Sequence, residues 1–131
     1  MSKIDRIEDI LVWQKAKSLT VEIYKASNHG NFARDFGLRD QIRRAAVSIP
    51  SNIAEGFGRG GNREFLQFLS IAKGSLFELK TQLIIANEIG YLDNEIFIKI
   101  SNDSDVVGKM LTSFMNYLSN SDIKGIKYKT N

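Results

Sequence analysis

Six of the seven arginines in this 131-residue chain fall between Asn31 and Arg63, where only three acids accompany them. A guanidinium group is planar and donates two parallel hydrogen bonds, so it matches the oxygens of a phosphate or carboxylate better than an ammonium does. Arg39, Arg43, Arg44, Arg59 and Arg63 are therefore the side chains with the clearest chemical potential, and that chemistry is anion recognition. The remainder has the opposite bias: Glu64 to Leu118 carries four lysines against seven acids. A net charge of +3 conceals this polarity. Two readings of the arginine run stand side by side. The arginines hold an anionic partner, or they pair with Asp35, Asp40 and Glu55 and solvate a helix face. Lys124, Lys127 and Lys129 would add salt-sensitive attraction to the first reading.

Catalytic and metal chemistry have few residues to use. There is no cysteine, which removes Cys-His arrangements, and the single histidine, His29, sits in a turn-forming stretch where no second residue marks it as the partner of a serine in a Ser-His-Asp arrangement. No HExxH or ExxH pairing occurs, which removes the usual helical zinc and di-iron sites. Gly56, Gly58 and Gly61 match the GxGxxG spacing, but that fingerprint works only where a strand feeds the turn, and here a helical pattern precedes it. These glycines are read instead as ending one helix and reversing the chain. A second reading stays open, in which Gly60 or Gly61 and Asn62 begin a helix whose free amides, beside Arg59 and Arg63, accept a phosphate. Glu64 could close a capping box on the same amides. Glu55 and Arg59, one turn apart, read as a helical ion pair. No enzyme activity and no cofactor are expected.

The elements that carry these residues are helical. From Leu38 to Phe57, Ile42, Ala46, Ile49, Ile53 and Phe57 recur at steps of three and four, with Arg44, Ser48, Ser51, Glu55 and Arg59 opposite. Pro50 removes a backbone donor and crowds the Ala46 carbonyl, at about 3 kcal/mol or more in a straight helix. The apolar stripe nevertheless keeps its phase across it, which predicts one helix kinked near Pro50 rather than two. A first helix is expected to start near Glu8 or Asp9, with Val12, Ala16, Leu19, Ile23 and Ala26 inward, Trp13 packed beside them, and an end around Ser27 to Gly30. Phe36, after the following loop, is expected to pack back on the bundle. The third helix, about Asn62 to Ile89, places Phe65, Leu69, Ala72, Leu76, Leu79, Leu83 and Ala86 in a heptad seam. Leu66, Phe68, Ile71, Phe77, Ile84 and Ile85 lie outside that seam, too much apolar surface for a helix with one wet face, and Gly74 fits a close approach there. A fourth helix follows Asp93, with Ile96, Ile100, Val107, Met110, Phe114 and Leu118 inward and a weak middle at SNDSDVVG.

The runs QIRRAAVSIPSNIAEGFGR, EFLQFLSIAKGSLFELKTQL and LVWQKA closely resemble the 23S rRNA intervening-sequence proteins, and through them the accessory proteins of diversity-generating retroelements. The likeness spans about Ile10 to Leu118. It implies a bundle that assembles as a ring, a homopentamer, with a nucleic-acid-binding role, RNA favoured, or else a scaffold for a protein partner such as a reverse transcriptase.

The fold class expected is all-α, an antiparallel up-and-down four-helix bundle. Residues 1–118 form one domain in this reading, and 119–131 a disordered basic tail. No stretch approaches the 18 or so apolar residues of a membrane span and no secretory signal opens the chain, so a soluble, cytoplasmic protein is expected.

Overall fold

A computed structural model describes residues 4–123. A 3-10 turn at Ile7–Asp9 leads into α1 (Leu11–Ala26), then a short α2 (Gly30–Arg34), α3 (Phe36–Arg59), α4 (Asn62–Ile89) and α5 (Asn94–Ile123). Among the described residues every regular element is helical. The four long helices form the bundle, with α1 and α4 each packed against both α3 and α5. Short connections make successive long helices antiparallel. One end therefore gathers the start of α1, the α3–α4 turn and the end of α5. The other gathers the end of α1, α2, the start of α3 and the α4–α5 turn. The core runs between them, from Ile10 and Val12 through Ile42, Ile49, Ile53, Leu69 and Leu79 to Ile100 and Leu118.

The α4 seam is buried as its heptad spacing predicts, from Phe65 through Ala86, and the helix has the expected bounds. α3 runs through Pro50 without interruption. Proline leaves the Ala46 carbonyl without its helical donor, and the structure supplies a replacement. Thr20 of α1 places its hydroxyl 3.0 Å from Ala46 O and 2.9 Å from Ala16 O. Replacing this hydroxyl by a methyl group leaves a fully buried carbonyl short of a donor. Thr20→Val should therefore lower stability by about 1–3 kcal/mol, measured by chemical denaturation, whereas Thr20→Ser should retain most of it.

The pairing of α3 with α4 is the most extensive in the molecule. Ser48 and Ser75 meet hydroxyl to hydroxyl at 2.8 Å, and the Asn52 amide donates to Ser48 O at 2.8 Å. Gly56 lies inside α3, where a Cβ would fall 2.7 Å from Phe65 Cδ1 and 2.9 Å from Phe68 Cβ. Its role is close helix approach. The helix stops three residues later, at Arg59, and Gly60 caps it in the left-handed conformation with φ 87°.

Several expectations are corrected. The first helix starts at Leu11, and Asp9 accepts the Arg6 N–H within the preceding 3-10 turn instead of capping α1. The segment read as a loop before Phe36 contains α2, whose Phe32 is buried while Phe36 is 63% exposed. In α5 the inward residues are Ile100, Ser104, Val107, Leu111 and Leu118, with Ile96 exposed and Met110 and Phe114 only half-buried. Ser104 tolerates full burial because its hydroxyl donates to Ile100 O at 2.8 Å. Within the SNDSDVVG stretch, Asp103 lies off the seam and accepts from Lys99 Nζ at 2.9 Å. α5 passes the boundary expected at Leu118 and is helical as far as Ile123, the last described residue, while the rest of the expected tail, with Lys124, Lys127 and Lys129, lies outside the described residues.

α2 closes its end of the bundle through one clip. The Tyr91 ring stacks on Phe32 with centroids 5.2 Å apart, and its hydroxyl donates to Asp35 Oδ2 at 2.8 Å. The other Asp35 oxygen caps α3 by accepting the Leu38 N–H at 3.1 Å. The Leu38 amide, and then the Tyr91 hydroxyl, hold the Asp35 carboxyl below its ordinary pKa, and the same bond pushes the Tyr91 phenol up. Both shifts favour the neutral phenol bonded to the carboxylate. The clip's stability is therefore complete between the ordinary carboxylate and phenol values. It is lost as pH falls through the lowered Asp35 value, and again as pH rises through the raised Tyr91 value. Thermal melts of wild type and Tyr91→Phe across pH should differ at neutrality and converge at both extremes.

Candidate nucleic-acid interface

The five arginines singled out by sequence divide by what each one touches. Arg39 donates from Nη1 to Ala33 O at 3.0 Å, binds Asp40 through Nε at 3.1 Å, and lies 4.6 Å from the Phe36 ring centre. Arg43 donates from Nε to Ser27 Oγ at 2.8 Å and from Nη2 to Tyr24 O at 3.4 Å, with its guanidinium 4.6 Å from the Tyr24 ring centre. Their targets lie at the last turns of α2 and α1, where carbonyls lack helical donors and the helix dipole favours a cation. Both arginines therefore fasten the bundle end. Arg59 contacts Glu55 at 2.9 Å and lies over Phe68 at 5.1 Å, which is the helical ion pair read from sequence. An exposed pair of this kind is worth only about 0.3–0.5 kcal/mol.

Arg44 and Arg63 are different. Both are exposed, and neither forms an ion pair with a described carboxylate. Arg44 stands on the outer face of α3 at an open cleft of about 530 Å³, lined by Tyr24, Asp40, Arg43, Val47 and Ser48. Asp40, the one acid there, is engaged by Arg39. Arg63 opens α4 at the far end of the bundle. Fifteen residues separate Arg44 from Arg59, about 22 Å along the helix axis. The five arginines thus form two groups at opposite ends of α3, with no single point of convergence.

The turn between α3 and α4 does not offer Asn62 to a ligand. That residue is 3% exposed, and its amide donates to Leu118 O at 3.3 Å, tying the start of α4 to the end of α5. Sequence reasoning also passed over the aromatic component of the arginine face. Tyr24 and Phe36 are 43% and 63% exposed, each beneath a guanidinium. The available signal was the four-residue spacing of Arg39 and Arg43, which places them on one edge of a helix.

A second cationic groove lies between α4 and α5, lined by Lys73, Lys80 and Lys109 with Phe77, Thr112 and Ser113 among others. Lys80 pairs there with Asp105 at 2.8 Å. Three of the four lysines in the acidic half of the sequence therefore meet in one place. No described helix is long and apolar enough to cross a membrane.

These features define an all-α bundle protein with an arginine-bearing outer helix. The chain belongs to the 23S rRNA-intervening sequence protein family, whose model matches residues 8–113. Among solved structures it is similar to a protein of unknown function from the S23 ribosomal protein family of Bacteroides thetaiotaomicron. The two share 29% identity with a TM-score of 0.72, over 79% of this chain and 97% of the other. No curated protein matches.

Proposed function

We propose that this chain is a non-catalytic, ring-forming cytoplasmic protein that binds nucleic acid, RNA in preference to DNA, through the outer face of α3. The observation that carries the reading is Arg44, an exposed guanidinium with no carboxylate partner among the described residues, at a cleft whose only acid is already engaged. Membership of a family described by its link to 23S rRNA supports RNA as the anion. Arg63 extends the positive face toward the opposite bundle end, and tail lysines Lys124, Lys127 and Lys129 add charge. Homopentameric assembly, implied by the sequence resemblance, would repeat a modest patch around a ring and raise its avidity.

Assembly has its own support. Ile71, Phe77, Ile84, Ile85 and Ile89 of α4 are all more than 40% exposed in the single chain. Gly74 lies among them with nothing within 4 Å of its would-be Cβ, although glycine in mid-helix costs about 1 kcal/mol relative to alanine. A neighbouring subunit seated on this face accounts for both. In a second reading the arginine face holds a protein partner instead, and the bundle is a scaffold for a protein such as the reverse transcriptase of a diversity-generating retroelement.

Sedimentation of the purified protein, followed by binding to a structured RNA and a length-matched DNA duplex, tests the proposal. An oligomer that binds RNA more tightly than DNA is expected. A folded oligomer that binds neither at low salt favours the scaffold.

A further inference from the structure

We infer that the Tyr24 cleft takes an unpaired nucleotide of a single strand, its base laid against the exposed aromatic ring and its phosphate on Arg44. This rests on the nucleic-acid reading above and narrows it to a class of ligand. Tyr24 lines the cleft and remains 43% exposed although Arg43 covers part of it. Arg43 is in turn fixed by Ser27 Oγ and Tyr24 O, so the ring has a firm backing. Such a ring is preorganised, and little side-chain freedom remains to be lost when a base stacks on it.

Phe36 repeats the arrangement. The residue is 63% exposed, with its ring beneath Arg39, which Ala33 O and Asp40 hold in place. Arg39 and Arg43 are one turn apart, about 6 Å along the α3 axis, so two backed rings and the unpaired Arg44 share one end of the bundle. Stacking between neighbouring base pairs hides the faces of bases within a duplex, whereas unstacked, unpaired nucleotides offer theirs to aromatic side chains. The cleft volume of about 530 Å³ suits a group the size of one nucleotide. Stacking against a ring tolerates any base, so a preference for unpaired strands without strong sequence preference follows.

The test compares three RNA probes of equal phosphate number at one salt concentration: an unstructured single strand, the same strand with abasic sites, and a duplex. Wild type should bind the unstructured strand about tenfold more tightly than the other two. Tyr24→Leu and Phe36→Leu should each remove most of that advantage and leave duplex binding unchanged, while Tyr24→Phe retains it. Phe36 is the control for folding, since its ring is largely exposed. Equal binding of all three probes, unaffected by either leucine variant but weakened throughout by Arg44→Glu, would overturn stacking and leave phosphate recognition standing. Failure of the folded protein to bind any probe would overturn both.

Discussion

Reversing the charge at Arg44 and Arg63 together should weaken RNA binding by about a hundredfold or more, since hydrogen bonds to charged groups contribute about 1.5–3 kcal/mol each. Thermal unfolding should hardly change, because both side chains are exposed and neither is held by a described carboxylate. The choice of residues matters. Arg39 and Arg43 donate to backbone carbonyls near the ends of α2 and α1, so replacing them removes caps as well as charge. Loss of binding in those variants would confuse folding with recognition. Arg59 is partly neutralised by Glu55, and its reversal would also set two carboxylates one turn apart. Fluorescence anisotropy with one RNA at fixed salt, alongside a melting curve for each variant, separates the two effects.

The largest effect on stability is expected at Gly56. A methyl group there meets the Phe65 ring and Phe68 Cβ at under 3.0 Å. Phe65 is fully buried, in edge contact with Phe57 and Phe114, and the Phe68 Cβ moves only with its helix. α3 and α4 must therefore separate along their main contact. Overpacking of this kind costs about 1–3 kcal/mol, more than the gain of about 1 kcal/mol from replacing glycine by alanine in a helix. Gly56→Ala should be destabilised, and Gly56→Val more so, by several kcal/mol in total. Gly58, two residues on, has nothing within 4 Å, so Gly58→Ala should be neutral or slightly stabilising. Chemical denaturation of the three variants would distinguish close helix contact from a general need for flexibility in the glycine-rich stretch.

The contrast between these glycines marks what a linear reading can and cannot reach. The α4 seam is legible because seven apolar residues keep heptad steps over three heptads, a pattern that few other structures satisfy. Continuity through Pro50 is legible for the same reason, since Ile49 and Ile53 remain in phase with Ile42 and Ala46. The remedy for the proline is not: Thr20 lies 26 residues from the carbonyl it serves. Nor does spacing show which glycine packs and which turns, because that depends on Phe65 and Phe68 across the interface. α2 is hidden by its five-residue length and by the turn-forming SNHGN that leads into it. In α5, Ser104 disguises the register, and with a polar residue in the seam Met110 is as plausible an inward residue as the buried Leu111.

The candidate site was partly legible. Composition points to the arginines, and the Glu55–Arg59 pair follows from one-turn spacing. The division of labour among the other arginines depends on Ser27, Tyr24 and Ala33, which the sequence places before α3 but does not orient. Only the folded chain separates guanidiniums that hold the bundle end from Arg44 and Arg63, which face solvent.

The most direct measurement is the salt dependence of RNA binding by the native protein and by the Arg44→Glu, Arg63→Glu variant. Phosphate contacts release condensed counterions, so the logarithm of affinity should fall steeply with the logarithm of salt concentration for wild type and less steeply for the variant. A shallow wild-type slope, or the same steep slope and affinity in both proteins, would contradict phosphate recognition by these arginines.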